Sequence, residues 1–242
     1  MRFTILLYLQ VVLLVSHISS ELPKIIKVCP RSSSDLNKCI IESIELLRPH
    51  ITIGDLGDNF TVPKLEPLSI DEIIIDNGND LEANFKNLSV FGPSKFNVLN
   101  LNTNITQMQF DFDLELPSLE FFGDYSIVLN ILIKFRGKGK LKGLFKNCKT
   151  HVKANAKIID EQNHMEFTLD VKMKVSYAQF ELQNLFDNDS FLSKLGNRII
   201  NDNYEIFLNE LKPGLEKSLG KIFSNIVNNI LKNSTYDEMF PE

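Results

Sequence analysis

Long runs in which apolar and polar residues alternate are the feature that most constrains how this chain can fold. The clearest runs lie at 108–116, 125–135 and 165–177. Successive side chains of a β-strand point to opposite faces of a sheet, so this alternation predicts antiparallel strands with one dry and one solvent-exposed face. The longer runs would reach roughly 35 to 45 Å, about twice the usual strand length.

Weaker alternation predicts four further strands, at 70–76, 81–90, 97–105 and 152–158. Between Phe85 and Leu88 the apolar positions change from odd to even numbers, which predicts a β-bulge. The apolar face of the run at 97–105 is predicted to begin with Leu99. Three glycines are assigned to turns between the long strands: Gly123, Gly137 and Gly139.

A helical spacing replaces the alternation near the C-terminus. After Asp189 apolar residues recur every three or four positions, which predicts one amphipathic helical run from Phe191 to Leu231. A continuous helix of that length spans about 60 Å, and Lys212-Pro213-Gly214 is predicted to bend or break it. A short N-terminal helix is predicted to follow an N-cap at Asp35 and to end at Pro49.

The order of these elements predicts the fold class. It is an α+β arrangement in which a long, strongly curved antiparallel sheet wraps around the long C-terminal helix. The dry face of the sheet needs a cover, and this helix is the element of matching length. A wide curved sheet around a thin helix leaves room for a cavity lined by the same apolar faces. No linker interrupts the pattern, so residues 21–242 are predicted to form a single domain.

The first twenty residues have the pattern of a secretory signal peptide. Arg2 provides a positive start, residues 5–15 are almost continuously apolar, and the small residues of 16–20 offer a cleavage site. The alternative is an uncleaved signal anchor, but spanning a bilayer takes roughly 20 apolar residues and this run is shorter. No later run is long enough either. We therefore predict a secreted, extracellular protein with no stable membrane insertion.

Composition narrows the class of protein further. Apolar residues make up 43% and charged residues 24%, which is ordinary for a globular protein and excludes wholesale disorder. The formal net charge is -5 and the isoelectric point is near 5.5. Nucleic-acid-binding proteins usually have a basic excess, so no nucleic acid partner is predicted. The chain is expected to act as a monomer.

Three cysteines remain beyond the signal peptide, and export permits disulfides. Cys29 and Cys39 are close in sequence and are predicted to pair, closing a small loop at the start of the first helix. Two alternatives stay open for Cys148. It is either a buried thiol that packs like a small apolar side chain or one half of an intermolecular disulfide.

The sequence also contains five N-x-S/T sequons, which are acceptors for N-linked glycans in exported proteins. Because a used sequon must face solvent, each one constrains the orientation of its strand or loop. The predicted glycosylation sites are Asn59, Asn87, Asn104, Asn188 and Asn233.

A set of short motifs, taken together, carries a family resemblance that covers nearly the whole mature chain. No single motif is decisive, but their order and spacing are specific. The sequence resembles the takeout and juvenile-hormone-binding family of insect secreted proteins. The motifs are Leu22-Pro23, Cys29, Asp35-Leu36-Asn37-x-Cys39-Ile40, Leu47-Arg48-Pro49, Pro67-Leu68-Ser69-Ile70-Asp71, Gly123-Asp124-Tyr125, Gly137-x-Gly139, Asn184-Leu185-Phe186, the segment 201–203, Glu210-Leu211-Lys212-Pro213 and Phe240-Pro241.

The resemblance implies a curved antiparallel sheet wrapped around a long C-terminal helix and an internal hydrophobic tunnel. It also implies a single disulfide near the N-terminus, which matches Cys29 and Cys39. Juvenile hormone carriers proper have a second disulfide, whereas Cys148 has no partner in this sequence. The chain is therefore more similar to the takeout branch.

The functional hypothesis is a secreted carrier that binds a small, elongated lipophilic ligand, such as a juvenile-hormone-like terpenoid or a fatty acid or ester. Apolar surface buried in a tunnel would supply the affinity, at roughly 25 cal/mol per Å². Tyr125, Tyr177 or Tyr204 could orient a polar end of the ligand. The candidate lining residues are Phe110, Phe112, Leu114, Ile127, Leu129, Ile131, Ile133, Phe135, Phe167, Leu169, Val171, Met173, Tyr204, Phe207 and Leu211.

The alternative is a secreted interaction or membrane-surface-binding protein, as in immunity, in which the tunnel is not the main functional site. A basic cluster could serve an anionic partner or lipid headgroup, and it comprises Arg136, Lys138, Lys140, Lys142 and Lys146. The sequence contains no nucleophile elbow, zinc-protease, Cys-x-x-Cys or P-loop motif. No enzymatic activity, catalytic residue, metal site or cofactor is therefore predicted.

Overall fold

A computed structural model of the chain describes residues 22–57, 60–76, 78, 81–131, 133–186, 189–232 and 234–242. The predicted signal peptide lies outside these ranges. Within them, six strands form one sheet: β1 (Leu68–Asp76), β2 (Leu81–Phe91), β3 (Asn97–Asn104), β4 (Gln109–Ile131), β5 (Ile133–Ile158) and β6 (Met165–Leu182). The helices of the described chain are α1 (Leu36–Ile53), α2 (Ser190–Asp202), α3 (Tyr204–Leu231) and α4 (Tyr236–Met239), with a 3₁₀ turn at Pro93–Lys95.

The sheet is antiparallel throughout, in the order β1-β2-β4-β5-β6. β2 and β3 pair with the same edge of β4, one after the other, with the 3₁₀ turn between them. The 23-residue β4 is long enough for both partners, since it spans roughly 75 Å. α3 packs against both edge strands, β1 and β6, and covers the dry face. The predicted α+β fold class is confirmed.

The two longest strands continue through the glycines that the sequence assigns to turns. Gly123 lies inside β4, and both Gly137 and Gly139 lie inside the 26-residue β5. The chain reverses between Ile131 and Ile133, whose Cα atoms are paired across the hairpin. The prediction of turns at the glycines is wrong, and the run at 125–135 belongs to two strands instead of one.

Close packing explains why glycines occupy these strand positions. A Cβ atom on Gly123 would lie 2.8 Å from both the Leu88 side chain and the Lys86 carbonyl oxygen. A Cβ atom on Gly137 would lie 2.7 Å from the Tyr125 hydroxyl. Glycine in a strand interior often marks such a close approach of neighbouring groups.

The predicted bulge in β2 is confirmed, and two irregularities were not predicted. The β2 register shifts between Lys86 and Ser89. The β3 register shifts at Leu99, which is exposed, so its predicted place on the dry face is wrong. The burial pattern of β6 shifts near its Tyr177, which points to solvent.

The predicted end of the first helix at Pro49 is wrong, and the C-terminal run does not break at Pro213. α1 continues through Pro49 and ends at Gly54, whose left-handed φ of 82° is typical of a helix C-terminus. α3 continues through Pro213, and the C-terminal run instead breaks at Asn203, between α2 and α3. The backbone and side-chain amides of Asn203 both donate to the Ile199 carbonyl, which satisfies the end of α2.

The buried side chains form two clusters along the long axis of the molecule. The first core cluster includes Leu129, Phe135 and Phe207 and fills the end near the β4–β5 hairpin. The second core cluster includes Phe110 and Phe240 and fills the opposite end, where α1 also packs.

The two chain termini meet at that opposite end. The Cys29 amide donates to the Met239 carbonyl at 3.3 Å, and the Arg31 amide donates to the Pro241 carbonyl at 2.8 Å. The predicted disulfide joins Cys29 and Cys39 at the start of α1. The N-terminal segment is therefore fixed both to the first helix and to the C-terminal segment.

Polar side chains of the C-terminal helices seal the free edge of β6. Asn197, Asn201 and Asn228 each accept from a β6 amide and donate to the carbonyl of the same residue, at 2.7 to 2.9 Å. Glu216 accepts from the Met173 amide, and Ser224 accepts from the Leu169 amide, both at 2.8 Å. We call these five residues the edge seam, because they replace the missing neighbour strand.

The spacing of the edge seam follows from helix and strand geometry. Glu216, Ser224 and Asn228 lie on α3 at multiples of four residues, and their β6 partners lie at multiples of two. Four helical residues rise about 6.0 Å and two strand residues rise about 6.6 Å. At the intervening step, Gly220 brings the helix so close that a Cβ would lie 2.6 Å from the Leu169 carbonyl oxygen.

Cys148 is fully buried, so the structure favours the thiol packed in the core over an intermolecular disulfide. Burial raises the pKa of this thiol to about 11. Because the thiolate is the reactive form, we expect alkylation of Cys148 by iodoacetamide at pH 8 to be at least about 100-fold slower in the folded protein than in denaturant. Mass spectrometry of the time course measures this. Rapid labelling of folded protein would contradict the burial.

Candidate functional site

A cavity of about 120 Å³ lies between α3 and the dry face of the sheet. Strands β1, β2, β4, β5 and β6 form one wall, and successive turns of α3 form the other. Every lining side chain is apolar apart from one tyrosine. They are Ile70, Ile73, Phe85, Leu88, Val90, Leu119, Phe121, Tyr125, Ile127, Leu141, Phe145, Phe180, Leu182, Phe207, Leu208, Leu211, Leu215 and Leu219.

Tyr125 contributes the one hydroxyl of the lining, and this group is already engaged. Its Oη donates to the Gln183 carbonyl at 2.6 Å. Burial raises the pKa of Tyr125 to about 12, so the phenol remains neutral at any physiological pH. The cavity therefore offers a ligand no charge and no free hydrogen-bond donor.

A chain of phenylalanine rings runs along the cavity wall. Edge-to-face contacts join Phe121 to Phe145, Phe145 to Phe180, and Phe180 to Phe207, with ring centroids 4.8 to 5.9 Å apart. A Cβ on Gly143 would lie 2.1 Å from the Phe121 ring, so glycine at this position makes room for it. These rings join β4, β5, β6 and α3 into one continuous apolar surface.

The cavity is small for an elongated ligand. Apolar cavities of roughly 150 Å³ in other proteins remain dry and accept a molecule the size of benzene. A longer molecule would have to displace side chains of the lining.

The predicted lining residues lie in different parts of the structure. Ile127, Phe207 and Leu211 line the cavity. Others lie in or against the first core cluster: Leu129, Phe135, Met173 and Tyr204. Others lie in or against the second core cluster: Phe110, Phe112, Phe167 and Leu169. Of the remainder, Val171 is buried on β6, Leu114 is half-buried on β4, and the side chains of Ile131 and Ile133 lie outside the described part of the structure.

Sequence reasoning missed the lining contributed by the weaker strands and by most of α3. Ile70 and Ile73 of β1 and Phe85 of β2 carry alternation signals that were present in the sequence. Leu215 and Leu219 follow Leu211 at helical spacing on one face of α3. The other missed residues, such as Leu119, Phe145 and Phe180, lie on stretches of β4, β5 and β6 outside the predicted alternating runs.

The outer face of β5 carries the predicted basic cluster. Lys140 pairs with Asp124 at 2.5 Å and holds the pKa of that carboxyl below its usual value. Lys142 lies over the Phe122 ring at 5.6 Å and Lys146 over the Tyr177 ring at 5.8 Å. A shallow depression of about 470 Å³ opens on this face, and its lining includes Asn87, Gly123, Asp124, Lys140, Lys142 and Glu181.

The structure describes two of the five sequon asparagines. Asn87 and Asn104 are both exposed. Their side chains make local hydrogen bonds, Asn87 to Asp124 and Asn104 to Gln107. The other three, Asn59, Asn188 and Asn233, lie outside the described residues.

Neither a metal site nor a membrane-spanning helix is found among the described residues. Over the described ranges, histidine, cysteine, aspartate and glutamate side chains form no group of three that could hold a metal ion. Within the same part of the chain, no helix combines the length and apolar character needed to cross a membrane.

Comparison with known families and proteins gives consistent matches. Residues 6–241 match the profile of the family described as haemolymph juvenile hormone binding protein. The circadian clock-controlled protein daywake of Drosophila melanogaster is 24% identical over 195 residues, which cover 74% of this chain and 75% of that protein. Daywake of Drosophila yakuba matches at the same identity and coverage.

A solved structure shares the fold. The crystal structure of Epiphyas postvittana Takeout 1 superposes with a TM-score of 0.72, covering 90% of this chain and all of that one. The two sequences are 21% identical. The match supports the arrangement of a long antiparallel sheet, a long C-terminal helix and a short N-terminal helix.

Proposed function

The chain belongs to the haemolymph juvenile hormone binding protein family, and from that membership we propose that it carries a small hydrophobic ligand in the cavity between α3 and the sheet. The observation that carries this proposal is the cavity lining, which is apolar throughout except for a tyrosine whose hydroxyl is already engaged. Burial of apolar ligand surface would supply the affinity without covalent chemistry. The carrier has no enzymatic role in this proposal.

We further propose that the protein is exported and acts outside the cell. Residues 1–20 would be removed on export, and residues 21–242 would act outside the cell as a monomeric single domain. The disulfide between Cys29 and Cys39 supports this, because disulfides persist in oxidising compartments. Glycans at exposed sequons such as Asn87 and Asn104 would suit the same compartment.

The absence of tryptophan from the chain allows a direct test. In a Phe207→Trp variant the single indole lines the cavity. The adjacent residue on α3, Ile206, has a side chain that is 43% exposed, so the indole of an Ile206→Trp variant lies outside the cavity. We expect a long-chain terpenoid or fatty ester to change the emission of the first variant in a saturable way and to leave the second unchanged. Equal responses, or none, together with no lipid co-purifying in native mass spectrometry, would contradict the proposal.

The cavity chemistry also predicts which ligands are preferred. A carboxylate drawn into this lining would lose its hydration and gain no cation or free donor, which costs several kcal/mol. We therefore expect a methyl ester to bind at least about tenfold more tightly than the matching ionised fatty acid, measured by displacement from the Phe207→Trp variant at pH 8. Equal affinities would mean that the polar end of the ligand lies outside the cavity.

A further inference from the structure

One face of α2 is apolar and unusually exposed. Phe191, Leu192 and Leu195 are 72%, 41% and 43% exposed. At 100° per residue these three share one side of the helix, with Lys194 and Arg198 beside them, while Gly196 and Ile200 face the protein. An apolar face flanked by cations is the pattern of a helix that lies in a membrane interface.

A basic run lies on the outer face of β5 next to the hairpin. Lys134, Arg136 and Lys138 are exposed, and their partners across β4 are the uncharged Asn130, Val128 and Ser126. Among the described residues no carboxylate lies within ion-pair distance of these three cations. Across the sheet, the nearest acidic residue is Glu82 of β2. It is separated from Arg136 by β4, because Val128 of β4 pairs with Arg136 on one side and with Glu82 on the other.

The contacts around Phe186 hold these two features at the same end of the molecule. The Phe186 amide donates to the Arg136 carbonyl at 2.7 Å, and the Phe186 ring lies 5.9 Å from the Phe135 ring. On its other side, Phe186 packs so closely under α2 that a Cβ on Gly196 would lie 2.6 Å from it. The apolar face of α2 and the basic run of β5 therefore lie at the same end of the molecule, which we call the hairpin end.

We propose that the hairpin end docks reversibly on an anionic lipid bilayer. Apolar side chains of α2 would enter the boundary between headgroups and acyl chains, and the cations of α2 and β5 would lie at the anionic headgroups. Each cation near such a surface strengthens binding by roughly fivefold. The overall charge of -5 is unfavourable, so the local arrangement has to supply the attraction. This docking rests on the surface alone and goes beyond the proposed carrier function.

The opposite end of β5 provides a matched control. Lys149, Lys153 and Lys157 lie on the same outer face, but they stand across from Glu115, Asp111 and Glu166. Lys157 forms an ion pair with Glu166 at 2.7 Å. Neutralising these three lysines removes as much positive charge as neutralising the basic run near the hairpin, and it does so far from α2.

The experiment measures co-sedimentation with vesicles of phosphatidylcholine containing about 30% phosphatidylserine. The mature chain is secreted from cultured eukaryotic cells, so that natural modifications are present, including any glycan at Asn188. We expect binding to fall at least about tenfold in the double variant F191S and L195S, and likewise in the triple variant K134Q, R136Q and K138Q. The triple variant K149Q, K153Q and K157Q should bind within about twofold of the unmodified protein. Vesicles of phosphatidylcholine alone should bind far less.

Three results would overturn the proposal. The first is that the unmodified protein does not sediment with anionic vesicles. The second is that the two triple variants lose binding equally, which would indicate non-specific attraction. The third is that F191S and L195S convert a dimer into a monomer in size-exclusion chromatography and leave vesicle binding unchanged. The hairpin end would then be an interface between copies of this chain. Ligand uptake by the Phe207→Trp variant in solution is a separate readout, so failure of docking and failure of the carrier function are distinguishable.

Discussion

Replacing Asn228 by leucine should lower the free energy of unfolding by about 3 kcal/mol. The Asn228 amide satisfies both the N–H and the C=O of Phe167 on the free edge of β6, at 2.7 and 2.9 Å. Leucine has a similar size but no polar atoms. Both backbone groups would therefore remain beneath the helix without a partner, and each unsatisfied buried group costs about 1 to 3 kcal/mol. Urea unfolding followed by circular dichroism measures the change.

Two further variants separate the edge seam from general effects on α3. Asn209→Leu places the same substitution at an exposed position of the same helix, and its unfolding free energy should change by less than about 0.5 kcal/mol. Asn228→Asp keeps the acceptor for the Phe167 amide but loses the donor, so its destabilisation should be intermediate. If Asn228→Leu were as stable as the unmodified protein, the edge of β6 would be satisfied in another way.

Filling the cavity should abolish ligand binding without unfolding the protein. Leu215 is half-buried and lines the cavity from α3. We expect Leu215→Trp to weaken binding of a neutral long-chain ester at least about 100-fold, because the indole occupies the space that the ligand needs. The overpacking itself should cost about 1 to 3 kcal/mol of stability. Titration with a fluorescent ester measures the affinity, and thermal unfolding checks the fold.

The control for this variant lies on the same helix. Ile206→Trp adds the same side chain at an exposed position outside the cavity, and its affinity should remain within about twofold of the unmodified protein. A folded Leu215→Trp protein that binds the ester normally would place the ligand elsewhere.

The sheet was predictable from the sequence because strand alternation reports directly which face is buried. The reversal between β4 and β5 was not, and the pairing explains why. Leu129 pairs with Phe135 across the hairpin, so the odd-numbered positions on both sides of the reversal point to the same dry face. Alternation therefore passes through the turn undisturbed, and a pattern of period two cannot show that the chain has changed direction.

The candidate site was only partly predictable, since a cavity and a solid core use the same side chains. Phe110 and Phe207 both lie on dry faces, yet Phe110 stacks on Phe240 in the second core cluster while Phe207 lines the cavity. The difference is their position along a very long sheet, which periodicity does not encode. The edge seam was missed for another reason. Its signal is polar residues at four-residue spacing, such as Ser224 and Asn228, whereas the apolar stripe reports only the face of the helix that packs on the core.

The match between helix rise and strand rise in the edge seam limits how this part of the chain can change in length. One residue inserted into α3 between Glu216 and Asn228 would rotate every later seam residue by about 100° away from its β6 partner. One residue inserted into β6 between Phe167 and Met173 would turn the edge amides toward β5. Insertions that preserve the contacts must therefore be coupled, with four residues in the helix for every two in the strand. The helix and the strand can therefore lengthen or shorten only together, in steps of roughly 6 Å.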